Sequence, residues 1–593
     1  MSRIKAFDPA CGSGNFLIIT YKELRALEIK IIQRLIELEE AEAAVTYQGK
    51  MFGATPLEGT QAQLYGGRQR NLFHTQISLT QFYGIEIKDF AHEMALLGLW
   101  LAEHQMNKVF DERLEGYGQS KPILPLKEAG HITLGNAARI DWNDACPREK
   151  DDEIYVLGNP PYLGSFLQNK IQKEDLALAC SGFKSYKDLD YIACWFIKAT
   201  RFLEKSKSAF AFVTTNSICQ GEQVGLLWPH IINKGFEIHF AYKSFKWTNN
   251  AKGNAGVTVT IIGVRSVVSS PKYFFDDKIK KEAKSISPYL TEGNCVIIYK
   301  RTKPLSLLPL MNYGSKIVDE GNLIFTTEEK TNVLKAHPNA ERLFKKLLGS
   351  AEFIRGLERW CLYINDEDLS FATNIPEIAR RLEAVTIFRK KSTEKSTREM
   401  ANYPHRFYYS AHEDSEAIII PRTSSERRDY IPLGFLNNDI IVSDAASVLF
   451  NATPWIFGVL HSKMHMVWVK AVGGRLKTDY RYSAQLIYNT FPFPGITAKQ
   501  KEIINQYVFA VLDERAKFPE KTMAWLYNPD TMPAGLRQAH KELDLAIENI
   551  YRPGNPFGSD AERLEHLFKR YEEMIARETL FAKAKKPRAK KGA

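Results

Sequence analysis

The N-terminal stretch Ile4-Lys5-Ala6-Phe7-Asp8-Pro9-Ala10-Cys11-Gly12-Ser13-Gly14-Asn15-Phe16-Leu17 reads as a strand, a tight turn and the start of a helix. Ile4 to Phe7 is a short, largely apolar run of the kind a buried parallel strand requires. Asp8 stands at its carboxyl end. Gly12 and Gly14 let the backbone turn tightly and approach a ligand that a Cβ would exclude. From Asn15 to Lys30 the apolar residues recur with helical period, so N–H groups of the turn and of the first helical residues converge on one place. Open α/β sheets bind ligands there, outside the carboxyl ends of their parallel strands. The spacing is not G-x-G-x-x-G, and no Lys-Ser/Thr follows as in a phosphate loop. An acid ahead of the glycines suits a ligand with a positive amino group and would repel a pyrophosphate. Asp8, Ala10, Gly12, Gly14 and Asn15 are therefore candidate cofactor residues, with a plain structural turn as the alternative.

Gly84-Ile85-Glu86-Ile87 is the second anchor. A strand-end acid can hold both hydroxyls of a ribose through its two oxygens, which makes Glu86, with Ile87 beside it, a cofactor candidate. Taken alone, Glu86 reads equally as a solvated strand-end acid. The expected gap from glycines to acid is about 20 residues, and here it is far longer. The excess reads as an insertion above the sheet: a charged helix from about Tyr21 to Val45, then a loop through Gly49, Gly53, Gly59, Gly66 and Gly67. Asn136, in Gly135-Asn136-Ala137, can accept the amino group of an adenine ring through its amide oxygen. An ordinary turn asparagine is the alternative there.

Ile154-Tyr155-Val156-Leu157 is another buried-strand run, and Gly158-Asn159-Pro160-Pro161-Tyr162 follows it. Two prolines fix φ and remove two donors, leaving carbonyl acceptors held stiffly beside an asparagine. A planar exocyclic amine is a poor nucleophile because its lone pair is delocalised. The Asn159 side-chain oxygen and the Pro160 carbonyl can bind its two hydrogens, favouring the pyramidal nitrogen on which charge develops. Pro161 stiffens the platform, and Tyr162 offers an aromatic face to a flipped base. With the glycine turn upstream, these residues point to methyl transfer from S-adenosylmethionine to a nitrogen. The sulfonium is already a good leaving group, so neither a metal nor a nucleophilic side chain is required.

These three strings, in this order, resemble the amino-type DNA methyltransferases of the gamma group. Further strings resemble the MmeI-like (type IIL) restriction-modification proteins: Phe212-Val213-Thr214-Thr215-Asn216-Ser217 with Gln220-Gly221-Glu222-Gln223, Phe245-Lys246-Trp247-Thr248-Asn249-Asn250-Ala251-Lys252-Gly253, and Gly356-Leu357-Glu358-Arg359-Trp360-Cys361. So do Pro421-Arg422-Thr423-Ser424-Ser425-Glu426-Arg427-Arg428, Gly473-Gly474-Arg475-Leu476-Lys477 and Tyr480-Arg481-Tyr482-Ser483. The resemblance implies an α/β protein. A Rossmann-like S-adenosylmethionine-dependent methyltransferase sheet would be followed by a mixed α/β target-recognition domain and a helical C-terminal region. It implies methylation of adenine N6 in a double-stranded recognition sequence, within a restriction-modification system. In such proteins the methyltransferase is usually fused to an N-terminal nuclease and helical spacer. This chain opens on the first cofactor strand and has no evident Asp…Glu-x-Lys cluster downstream. The expectation is therefore methylation without cleavage, with a nuclease or N-terminal companion polypeptide as a further partner.

Composition agrees with a DNA partner. The chain has 593 residues, 44% of them hydrophobic, and a formal net charge of +11, with a sequence pI near 9.0. No apolar stretch is long enough to span a bilayer and no signal peptide is evident, so a cytoplasmic, DNA-associated protein is expected. The seven cysteines form no C-x-x-C pair and read as reduced core residues, without zinc.

Four regions are expected. Residues 1–268 form the methyltransferase domain, in which Gly256-Val257-Thr258-Val259-Thr260-Ile261-Ile262-Gly263-Val264 reads as a strand at the sheet's far edge. Ser266 to Lys272 reads as a Ser/Pro linker. Residues 273–494 form the target-recognition domain, including the basic-aromatic segment Tyr403-Pro404-His405-Arg406-Phe407-Tyr408-Tyr409. Residues 495–577 are helical by period, with Leu536, Ala539, Leu543, Ile547 and Ile550 on one face. Residues 578–593 form a basic, disordered tail. Candidate DNA-binding residues are Arg422, Arg427, Arg428, Arg475, Lys477 and Arg481, since Arg and Lys contact phosphates and guanine edges. Surface ion pairing is the alternative for several of them. Phe245 and Trp247, read on the loop before the last strands, could each stack on a flipped base opposite Tyr162, and Phe245 is favoured; core packing is the alternative. Two rival functions stay open: a non-catalytic DNA-specificity fragment that needs a separate N-terminal part, and the same chemistry on RNA or a protein glutamine.

Overall fold

The computed structural model describes residues 1–51, 73–120, 130–206, 208–247, 257–276, 279–476 and 478–584. It divides into two compact units, Met1–Ile218 with Leu226–Glu292 and Cys219–Gly225 with Gly293–Ala593.

The first unit is built on a nine-stranded sheet. Its strands in chain order are β1 (Ile4–Asp8), β2 (Phe82–Glu86), β3 (His131–Leu134), β4 (Glu153–Gly158), β5 (Ala209–Thr215), β6 (Phe236–Trp247), β7 (Val257–Ser266), β8 (Lys272–Asp276) and β9 (Ile279–Ala283). Their spatial order is β9-β8-β6-β7-β5-β4-β1-β2-β3. The strands from β3 to β5 pair in parallel, and β7 runs antiparallel to both its neighbours. The order 3-2-1-4-5 is that of a doubly wound sheet, whose strand order reverses between β1 and β4. A crevice therefore opens at the carboxyl ends of β1 and β4. The core is aromatic: Phe7 meets Trp142 at 5.3 Å and Phe202 at 5.7 Å between ring centroids, both edge-on. Phe7, Phe196, Phe210, Phe212 and Trp228 are fully buried, each worth roughly 1.5–3 kcal/mol of burial.

Three expectations for this unit are corrected. β7 is not at the edge but between β5 and β6, paired on both sides along most of its length. Its β-branched run, Val257-Thr258-Val259-Thr260-Ile261-Ile262, suits two neighbours as well as an edge, and only pairing distinguishes the two. The Ser266–Lys272 stretch is the connection from β7 to β8, so the sheet continues to Ala283 rather than ending at residue 268. Phe245 and Trp247 lie within β6, in register with Val259 and Val257, not on a loop. Farther upstream, the first helix and the expected insertion helix are one element, α1 (Asn15–Met51), which includes Gly49. Gly53, Gly59, Gly66 and Gly67 lie outside the described residues.

The second unit holds two four-stranded sheets, one of Met311–Tyr313, Ala446–Phe450, Ala417–Pro421 and Gly434–Leu436, the other of Ile324–Phe325, Trp360–Leu362, Phe344–Leu348 and Ile440–Val442. Arg389 is fully buried and donates to five backbone carbonyls, those of Ile317, Val318, Met400, Tyr403 and Arg406. It ties the basic-aromatic segment down from within. His405 and Arg406 of that segment both bond Asp366, and Phe407 is in the core, so these three serve the fold. The helix Ala534–Tyr551 buries Leu536, Ala539, Leu543 and Ile547. The last helix runs from Asp560 to Ala584, so residues 578–584 are helical where a tail was expected. Residues 585–593 lie outside the described residues. No helix among the described residues is long and apolar enough to cross a membrane.

Candidate active site

The glycine turn leaves β1 and is fastened to β2. Cys11 N–H donates to the Ile85 carbonyl (3.1 Å) and Gly12 N–H to Glu86 Oε2 (2.9 Å). The other Glu86 oxygen accepts from Lys88 N–H (2.9 Å). The acid and the glycine turn are thus one construction. Ile87, next in line, is 63% exposed and offers an apolar face at the strand end. Asn15, the first residue of α1, is exposed, and Ala10 is half-buried within the turn.

Asp8 is completely buried. One oxygen accepts Ala10 N–H (3.0 Å), and the other is buried without a partner. Burial pushes its carboxyl up to about 7, the Ala10 N–H opposes this, and the neighbouring Glu86 charge adds to it. Such an acid is suited to a cationic ligand group that would restore its ionised form. A Cβ on Gly158 would stand 2.4 Å from Asp8 Oδ1, and Gly158 has φ +151°. Only glycine lets the carboxyl end of β4 pass this close to Asp8. That contact brings the turn and Asn-Pro-Pro-Tyr to one place.

Asn159 follows directly. Its side-chain oxygen is buried and accepts no hydrogen bond. A buried acceptor without a partner costs about 1–3 kcal/mol. Pro160 is buried, Pro161 exposed and Tyr162 half-buried, with burial raising the Tyr162 hydroxyl pKa and the Asp190 charge adding to the rise. The adjoining Leu163 is clamped on both backbone groups. Its N–H donates to Asp190 Oδ1 (2.8 Å), while its carbonyl accepts Tyr191 N–H (3.0 Å) and Gln168 Nε2 (2.9 Å). Asp190 also accepts from Ser217 Oγ (3.3 Å), beyond the end of β5. Asn216 beside it donates to Ser244 Oγ of β6, leaving its own oxygen buried and unbonded.

Asn136 is engaged by the fold. Its oxygen accepts Ala138 N–H (2.9 Å) and its amide nitrogen donates to Asp175 Oδ2 (3.0 Å), the pattern of the turn alternative. Asp175 also holds Arg139 and Tyr191. Sequence reading missed Gln168, Asp175, Asp190 and Ser217. The available signal was a lone acid, Asp190, inside the otherwise apolar run Leu189 to Phe196. Phe245 is half-buried in β6.

In the second unit, the candidate DNA-binding residues converge on a small three-stranded ribbon. It consists of β10 (Thr423–Ser424), β11 (Gly474–Leu476) and β12 (Asp479–Arg481), with β12 in the middle. Arg422 donates to the Asp444 carbonyl (2.8 Å) and lies over the Tyr313 ring. Arg427 pairs with Asp530 (2.5 Å), and Arg428 reaches Ser424 Oγ (3.3 Å). Arg475 stacks on Tyr480 (4.0 Å), bonds the Thr478 carbonyl and pairs with Glu426 at 3.9 Å. Arg481 is exposed, and no ion pair or side-chain hydrogen bond engages it among the described residues. Lys477 lies outside them.

A doubly wound sheet with a reversed strand beyond β5, a glycine turn tied to a strand-end acid, and Asn-Pro-Pro-Tyr at the switch point define a Rossmann-like methyltransferase fold. Residues 1–276 match the model of the MmeI DNA-methyltransferase domain, residues 292–495 that of the MmeI target recognition domain, and residues 496–579 that of the MmeI C-terminal domain. The chain belongs to the MmeI family. It is similar to DNA methyltransferase A of Bacillus subtilis (strain 168), with 44% identity over 578 residues, covering 97% of this chain and 62% of that protein's length. Its structure is similar to that of the type IIL restriction-modification enzyme MmeI in complex with DNA, with a TM-score of 0.82 and 39% identity over 97% of this chain and 73% of that one.

Proposed function

We propose that this chain transfers a methyl group from S-adenosylmethionine to the N6 amine of adenine in a double-stranded DNA sequence, as the modifying part of a restriction-modification system. The observation that carries this reading is the buried, unbonded side-chain oxygen of Asn159, held beside two prolines at the end of β4. It is an acceptor prepared for an amine. The residues of the turn fit the cofactor. Glu86 would hold the ribose hydroxyls, the turn from Gly12 to Asn15 would lie against its polar part, and the buried Asp8 carboxyl suits its ammonium group. When bound, the cofactor supplies an electrophilic methyl on a sulfonium, whose carbon–sulfur bond breaks as the new carbon–nitrogen bond forms.

The protein's own groups do the remainder. Asn159 Oδ1 and the Pro160 carbonyl accept the two amine hydrogens, and these bonds strengthen as the nitrogen becomes positive. Tyr162 stacks on the extruded base, and Phe245 is our candidate for the opposite face. Neither acceptor keeps the proton, which passes to water after transfer. Arg422, Arg427, Arg428, Arg475, Lys477 and Arg481 are our candidates for phosphate and base-edge contacts, Arg481 foremost because its guanidinium is unengaged. The net charge of +11 supports a polyanionic partner.

The test is to incubate the full chain with isotopically labelled cofactor and mixed-sequence DNA, then identify the labelled nucleoside by mass. N6-methyladenine is expected. N4-methylcytosine would overturn the choice of base, since that exocyclic amine is chemically similar. Label in RNA or protein and none in DNA would overturn the substrate.

A further inference from the structure

The turn that follows Asn-Pro-Pro-Tyr carries two apolar side chains in open solvent, Phe166 at 94% and Leu167 at 75% exposure. A phenylalanine so exposed adds nothing to the core, and two side by side are not the scattered single residues usual on a surface. They do not sit on a loose loop. The turn is fastened before them at Leu163, whose N–H and carbonyl are both held by Asp190, Tyr191 and Gln168. Leu167 N–H closes the turn on the Gly164 carbonyl (2.9 Å). Behind them Gln168 is buried and bonded to the carbonyls of Leu163 and Leu189. Asn169 then caps α2 (Lys170–Ala179) through a reciprocal capping box with Gln172. The first turn of that helix presents Lys170 and Lys173, both exposed and without an ion pair among the described residues.

We propose that Phe166, supported by Leu167, is a wedge that enters the DNA duplex beside the target base and stabilises its extruded position, with Lys170 and Lys173 contacting the flanking phosphates. This inference rests on the DNA-methyltransferase reading above. Extruding a base costs unstacking and unpairing energy of a few kcal/mol. Proteins that bend or open duplexes offset such a cost by inserting rigid apolar side chains between base steps. The tip stands four residues after Tyr162, on backbone clamped immediately after it, so the flipped base and the space it leaves would be served by one rigid segment. A duplex also explains the pairing of an apolar tip with adjacent cations, because base steps are apolar and phosphates flank them.

The test begins by mapping the site that the full chain methylates. Phe166→Ala, Leu167→Ala and Phe166→Trp are then assayed on a duplex with that site fully paired, and on one with an abasic position opposite the target adenine. Phe166→Ala is expected to lose about tenfold in rate on the paired duplex and to return to within about twofold of the unaltered chain on the abasic one, where extrusion is already easy. With 2-aminopurine at the target, its fluorescence rise on binding should fall in parallel. Phe166→Trp should keep the activity. All three should melt like the unaltered chain, because the side chains are exposed. Full activity of Phe166→Ala on the paired duplex would overturn the wedge. A defect of equal size on both duplexes would also overturn it, and would assign the tip to another partner. If the unaltered chain methylates no DNA, the underlying reading falls, and the wedge with it.

Discussion

The carboxyl edge of the methyltransferase sheet and the basic ribbon of the second unit handle polar groups in opposite ways. At the sheet edge, polar atoms are buried and left unbonded: Asp8 Oδ2, Asn159 Oδ1 and Asn216 Oδ1. On the ribbon, four of the five described arginines already have partners within the protein, and Arg481 alone is unengaged among the described residues. The first arrangement is rigid, incurs its desolvation cost in advance, and suits chemistry that requires one geometry. The second engages most of its arginines in surface ion pairs and hydrogen bonds that a polyanion can replace, although Arg475 Nε is itself buried without a partner.

The contrast breaks most sharply at Asn159. Asn159→Ala should reduce methyl transfer about 100- to 1000-fold, the usual effect of removing one preorganised acceptor. Cofactor affinity, measured by titration, should stay within about twofold. Retained transfer would show that the unbonded oxygen has no part in the chemistry. Arg481→Ala comes next. Loss of one unengaged base or phosphate contact should weaken binding to the methylated sequence by about 1–3 kcal/mol. Comparing specific with random DNA at several salt concentrations separates base reading, which lowers only the specific affinity, from a phosphate contact, which lowers both.

A pH series sharpens the sheet-edge half of the comparison. With its carboxyl at about 7 in the folded chain, Asp8 holds a proton that an unfolded aspartate, at 3.8, has released. Its contribution to stability is therefore fully present below about 4 and is lost as pH rises through 7. Binding of a cationic cofactor group runs the other way, because it needs the ionised acid. Cofactor affinity should rise about tenfold between pH 6 and 8 and level off above that. Asp8→Asn should abolish the slope. The smallest effect is expected at Arg427. Its partner Asp530 is as exposed as itself, at 63% each, and such pairs contribute about 0–1 kcal/mol. Arg427→Ala should leave melting unchanged and alter DNA affinity less than Arg481→Ala. A larger loss than at Arg481 would show that the ion pair opens to release Arg427 to DNA.

Three parts of this protein were legible in the sequence because their physics is local. Proline fixes φ and removes donors wherever it stands, so Asn159-Pro160-Pro161-Tyr162 reads as a stiff acceptor platform without knowledge of its surroundings. The glycines after Asp8 likewise announce a turn at a strand end, and helical period marked the buried face of Ala534–Tyr551. Tertiary structure alone decided what those pieces meet. A β-branched run such as residues 257–262 suits any buried strand, and only pairing placed it between β5 and β6. That the Asn136 amide nitrogen is held by Asp175 could not be read from its own neighbourhood. The approach of Gly158 to Asp8 and the grip of Asp190 on Leu163 join residues distant in sequence. No local preference encodes those contacts. They follow from the order in which the strands assemble and from the requirement that buried polar groups find partners, except where a substrate is to supply them.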